Sequence, residues 1–128
     1  MRRFALLAAT PLFLVSALPA QVAAHTQIVA SSPAAGSTVA RPRSLTLTFS
    51  EAVNPATAAA SIVMTAMPGV SNHGEMVIRN FTTSWSNDQR TLTLTLRQPL
   101  SAGSYDVRWQ AAGADGHRMT GTVSFTVR

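Results

Sequence analysis

Four stretches of this chain alternate strictly between apolar and polar side chains, and that alternation constrains the fold more than any other feature. In "SLTLTFS" (44–50), Leu45, Leu47 and Phe49 fall on one side, Thr46 and Thr48 on the other. "RTLTLTL" (90–96) repeats the pattern with Leu92, Leu94 and Leu96. "SYDVRWQ" (104–110) sets Tyr105, Val107 and Trp109 on one face, and "TVSFTV" (122–127) does so with Val123, Phe125 and Val127. A period of two is the signature of a strand with one buried and one wet face. Threonine, branched at Cβ, suits the wet face.

Less regular strand candidates are 26–32, 60–66 and "IRNFTTSW" (78–85). Turn-forming clusters separate the strands: "PAAGS" (33–37), "VNPAT" (53–57), "SNDQ" (86–89), "SAGS" (101–104) and "GADGH" (113–117). No long amphipathic helical period exists, although "PATAAAS" allows one helical turn. Seven short strands divided by turns predict an all-β, seven-stranded Greek-key sandwich or barrel of immunoglobulin-like type.

The first 24 residues follow a different grammar. Arg2 and Arg3 precede the apolar run "ALLAATPLFLVSALPA", which Pro11 and Pro19 interrupt, and small residues follow. That is the pattern of a secretory signal peptide; a spanning helix needs about 20 uninterrupted apolar residues. Small residues are required at the last and third-from-last positions before the cut. A cut after Ala24 places Val22 and Ala24 there, better than the alternatives after Ala23 or Ala20. The chain therefore divides into a signal peptide, 1–24, and one exported domain, 25–128, that begins with His25.

The formal charge of the whole chain is +5. Without Arg2 and Arg3, eight arginines face Glu51, Glu75, Asp88, Asp106 and Asp115, so the domain carries +3. The arginines are scattered and form no basic run, which argues against nucleic-acid binding. Cysteine is absent, so packing, or packing and a metal, must hold the domain together.

The three histidines, His25, His73 and His117, all lie outside the regular strands. In "ADGHRM", Asp115 and His117 are two residues apart, and extended backbone would turn both to the same side. An imidazole beside a carboxylate suits Cu(II) or Zn(II). A histidine at the mature N-terminus adds two nitrogens, its α-amine and ring Nδ1, which chelate one metal. With the His117 imidazole this makes a T-shaped three-nitrogen set, a histidine brace, which favours tetragonal Cu(II). Asp115 is placed to add an oxygen. A second constellation, "MTAMPGVSNHGEM", gathers Met64, Met67, His73 and Met76, three of the four methionines after Met1. Thioethers are soft ligands that select Cu(I); the alternative is that these methionines fill gaps in the core.

Taken together, His25, "SSPAAGS" (31–37), "LTLTFSEAV" (45–53), the methionine–histidine segment, "ADGH" and "GTVSFTV" resemble the CopC family of periplasmic copper-binding proteins. The resemblance covers the whole exported domain. It implies a Greek-key β-fold with two copper sites: His25, Asp115 and His117 for Cu(II), and Met64, Met67, His73 and Met76 for Cu(I). Glu51, in "FSEAV", matches an acidic residue close to the Cu(II) site, as a weak ligand or a supporting partner. The family's fuller Cu(I) segment has more methionines set closer to the histidine. The resemblance further implies a monomeric periplasmic carrier in copper resistance or uptake, with a CopD-type membrane transporter or a periplasmic copper oxidase as recipient. The alternative is an enzyme, since lytic polysaccharide monooxygenases also place a histidine brace on an immunoglobulin-like sandwich. Few aromatic residues are left here for a polysaccharide-binding face.

Overall fold

A computed structural model describes residues 25–128 and the isolated Pro11. The predicted signal peptide and its cut lie outside the described residues. Nine strands form two sheets: β1 (Ile28–Ser32), β2 (Thr38–Val39), β3 (Ser44–Phe49), β4 (Ala59–Ala66), β5 (Met76–Ile78), β6 (Phe81–Trp85), β7 (Thr91–Leu96), β8 (Gly103–Ala112) and β9 (Arg118–Val127). The first sheet has the order β1-β3-β7-β6 and the second β2-β9-β8-β4-β5. Every pairing is antiparallel except β2 with β9, which is parallel.

The alternating segments do what their period requires. Leu45, Leu47 and Phe49 of β3 and Leu92, Leu94 and Leu96 of β7 point inward from the first sheet, each at most 5% exposed. They meet Tyr105, Val107 and Trp109 of β8 and Val123, Phe125 and Val127 of β9. Phe49 sits at the centre, stacked on Trp85 with ring centroids 5.9 Å apart and edge-on to Trp109 at 5.3 Å. Such pairs add about 0.5–1.5 kcal/mol beyond the area they bury. The Tyr105 hydroxyl reaches out of the core to donate to the Ser101 carbonyl at 2.7 Å.

Two features depart from the seven-strand expectation. The stretch 78–85 is not one strand: β5 and β6 belong to different sheets, and Arg79–Asn80 carries the chain across between them. The two-residue β2 is too short to show any period. The helical turn allowed near residue 55 is a 3-10 turn, Pro55–Thr57, capped by the Asn54 side chain, which accepts from Ala56 N–H at 3.1 Å.

The sandwich has two ends that differ in what they gather. At one, β3 exits at Phe49, β7 enters beside it, and β8 turns back into β9 between Ala112 and Arg118. At the other, β8 enters opposite the end of β9, and Leu96 N–H bonds Arg43 O.

Candidate metal centre

Three segments converge at the first end. The chain before β1 continues β1's pairing with β3: Ser50 N–H donates to Gln27 O at 2.7 Å, and Gln27 N–H donates to Ser50 Oγ at 3.0 Å. This carries His25 to the rim. The turn between β8 and β9 is rooted at Ala112, whose carbonyl accepts from Asn54 N–H at 3.2 Å and whose N–H donates to Thr57 Oγ1 at 3.1 Å.

Within that turn, Gly116 N–H closes on the Gly113 carbonyl at 3.0 Å, with Gly116 at φ +76. A side chain is strained in that left-handed region, so glycine is the residue for it. Asp115 Oδ1 accepts from His117 N–H at 3.0 Å, and Oδ2 lies 3.3 Å from His117 Nδ1. Asp115 and His117 therefore converge, although the reason is not the extended backbone that their spacing suggested. A tight turn closed by the aspartate itself does it.

One ligand-type atom from each of His25, Asp115 and His117 lies within 4.8 Å of the other two. The two imidazole centroids are 6.0 Å apart and tilted by 44°. All three residues are exposed, so an ion from solution reaches them without a conformational opening. They form the one such group found among the described residues.

Glu51 is not in that group; it braces the residue next to it. Its Oε1 accepts from Thr26 Oγ1 at 2.7 Å. Thr26 is 2% exposed and is the only buried polar residue among those described. Gly113 closes the arrangement from the turn side. A Cβ there would collide with Glu51 Oε1 and stand 2.8 Å from Thr26 Oγ1. Glu51 thus bonds the leading segment through Thr26 and packs closely against Gly113 at the root of the loop that carries Asp115 and His117. Thr26 and Gly113 were not legible as site residues, because the Thr26–Glu51 contact spans 25 positions.

The methionine–histidine segment is arranged differently. Met64 lies opposite Met76 in the β4–β5 register, so their side chains share a face. Yet Met64 is 2% exposed in the core while Met76, on the edge strand, is 46% exposed. Met64 thus lies in the core behind the segment, while Met76 faces solvent. Met67 is half-buried against the core and bridges to Val70. His73 is half-buried, and its shielded Nδ1 has no hydrogen-bond partner. Glu75 anchors the segment: its carboxylate takes a two-pronged contact from Arg108, at 2.5 and 3.0 Å. The same guanidinium holds the Glu75 carboxyl below its usual range. His73, Met67 and Met76 remain the accessible members.

Comparison with known proteins decides the lineage. The family described as the CopC domain matches residues 28–128. The chain belongs to the CopC family. It is 42% identical over 115 residues to Copper resistance protein C of Pseudomonas syringae pv. tomato, covering 90% of this chain and 87% of that one. It is 36% identical to Copper resistance protein C of Escherichia coli, over 82% of each. Among solved structures, PcoC, a methionine-rich copper resistance protein from Escherichia coli, superposes with a TM-score of 0.72 at 34% identity, covering 82% of this chain and all of that one. CopC from Methylosinus trichosporium OB3b gives 0.63 at 31% identity, over 80% and 93%. The two-sheet β-sandwich is the architecture that these CopC-family relatives share.

Proposed function

We propose that this CopC-family chain is a periplasmic copper carrier. Export and cutting after Ala24 free the α-amine of His25, and that amine, the His25 and His117 imidazoles and the Asp115 carboxylate then take up Cu(II). The observation that carries this reading is the meeting of His25, Asp115 and His117 within 4.8 Å from two separate segments. Nitrogen and oxygen donors of this kind suit Cu(II). Glu51 serves as a support, oriented toward Thr26. Membership of the family, and likeness to proteins named for copper resistance, add to the reading.

A softer second site comprises His73, Met67 and Met76, with Met64 as the core residue behind them. The shielded, unpartnered Nδ1 of His73 supports it, because an imidazole lone pair beside thioethers suits Cu(I). With the sites on different segments, copper passes according to its oxidation state. The protein acts as a monomer, and the recipient is a CopD-type membrane transporter or a periplasmic copper oxidase.

Titration of the protein with one extra residue ahead of His25 tests this. Cu(II) affinity is expected to collapse while Cu(I) affinity, measured with a competing chelator, persists. Unchanged Cu(II) affinity would remove the amine from the site.

A further inference from the structure

The segment that carries His73 and Met76 also carries one carboxylate, and Arg108 engages both of its oxygens. Glu75 is the sole acidic residue between Met64 and Met76. Arg108 Nη1 donates to Glu75 Oε2 at 3.0 Å, and Nη2 donates to Oε1 at 2.5 Å. Arg108 is on β8 and Glu75 immediately precedes β5, with β4 between them in the sheet, so the contact spans a strand. The residue opposite Arg108 on β4 is Ser61, whose small side chain leaves the way across open. Arg108 faces outward, since its neighbours Val107 and Trp109 face the core. Its guanidinium is steadied from its own side of the sheet. Asp106 Oδ2 lies 3.5 Å from Nη2, and Asp106 Oδ1 accepts from Ser124 Oγ at 2.7 Å. Asp106 and Ser124 stand opposite each other in the β8–β9 register, so two strands aim the arginine at Glu75.

Only Gly74 separates Glu75 from His73, and the shielded Nδ1 of His73 has no hydrogen-bond partner. A carboxylate free to turn toward that imidazole would add an oxygen donor to a nitrogen donor, a pair that suits Zn(II) and other divalent ions. With the carboxylate engaged, the donors left in the segment are one imidazole and the thioethers of Met67 and Met76, which suit monovalent copper. We propose that Arg108 is a specificity-determining residue of the second site. By holding both oxygens of Glu75 it keeps the carboxylate out of the donor set, and so biases the segment toward Cu(I) and against divalent ions. Arg108 itself touches no metal. The planar guanidinium suits this task because its fork meets both carboxylate oxygens at once, where an ammonium acts as a single point charge. Both side chains are partly exposed, so the hold is modest, worth about 5-fold in the competition for Glu75. The inference rests on the Cu(I) reading of this segment and is independent of the rim site.

Zn(II) is the probe, because it is divalent and has no redox chemistry of its own. Competition titrations are made in the His117→Ala background, which takes an imidazole away from the rim site. In that background Arg108→Gln should raise Zn(II) affinity by about 5-fold or more. Arg108→Lys, which keeps the charge and loses the fork, should raise it less. Adding Glu75→Gln to Arg108→Gln should return the affinity to that of the background. Circular dichroism and thermal melting establish that each variant is folded. No gain in either arginine variant, or a gain that survives Glu75→Gln, overturns the proposal. Cu(I) affinity, measured in the same background with a competing chelator, tests the underlying reading separately. Absence of Cu(I) binding there overturns that reading together with the role of Arg108, whereas intact Cu(I) binding without the Zn(II) gain overturns the role of Arg108 alone.

Discussion

The two candidate copper segments sit on the same sandwich but are built on opposite plans. His25, Asp115 and His117 lie exposed at the rim, and their positions are set by backbone closure and by a buried threonine–carboxylate contact. The methionine–histidine segment begins inside the core at Met64 and ends on an exposed edge strand, pinned by one surface ion pair. The first is rigid in its supports and open to solvent. The second borrows part of its residues from the hydrophobic core. Borderline Cu(II) and soft Cu(I) make different demands on a site, and the proposed function assigns one plan to each.

The sharpest way to separate them is by the methionines. Met64→Ala should cost about 2–5 kcal/mol of stability, as for a fully buried methionine, whereas Met76→Ala should alter stability by about 0.5 kcal/mol or less and weaken Cu(I) binding. Thermal or urea unfolding of the two variants measures this. Equal losses would mean that the two residues do not differ in burial as described.

At the other end, His117→Ala should lower Cu(II) affinity by about 100-fold or more, since even outer-sphere partners of a metal ligand are worth about 10–100-fold. Cu(I) affinity should not move. Competition titrations with both ions read the contrast, and a parallel loss of both would merge the two sites into one.

Thr26→Val keeps the shape but removes the hydroxyl that Glu51 accepts from. A loss of about 10-fold in Cu(II) affinity is expected, in line with other supporting contacts, with Cu(I) unchanged. If Thr26→Val binds normally while Glu51→Gln does not, Glu51 acts as a ligand and the threonine is incidental. Smallest of all, Glu75→Gln should leave the melting temperature nearly unchanged and speed amide exchange in 67–76, because the Arg108 contact holds that segment down. Exchange monitored by mass spectrometry decides it.

The contrast also explains what the sequence made legible. The β3, β7, β8 and β9 segments were readable because each is six or more residues of alternation with a buried face. β2, with two residues, and β5, with three, are too short to carry a period, and the split between β5 and β6 depends on which sheet receives each. The Asp-Gly-His turn stood out by its composition, and His25 by its place just ahead of the first strand. The geometry behind them was not. Nothing in "EAV" or "HTQ" announces that Glu51 and Thr26 meet, since that contact follows from the β1–β3 register. The burial of Met64 was one of two readings open at the sequence level. Its place between Ile62 and Tyr105 in the inward register decides it.

His25 hangs from the edge strand of one sheet, and the turn bearing Asp115 and His117 joins two strands of the other. An ion gripped by both would therefore be a rivet across the seam of the sandwich. Loaded protein pulled from its front end should resist peeling of β1 until the rivet gives way, and the empty protein should shed that strand at lower force.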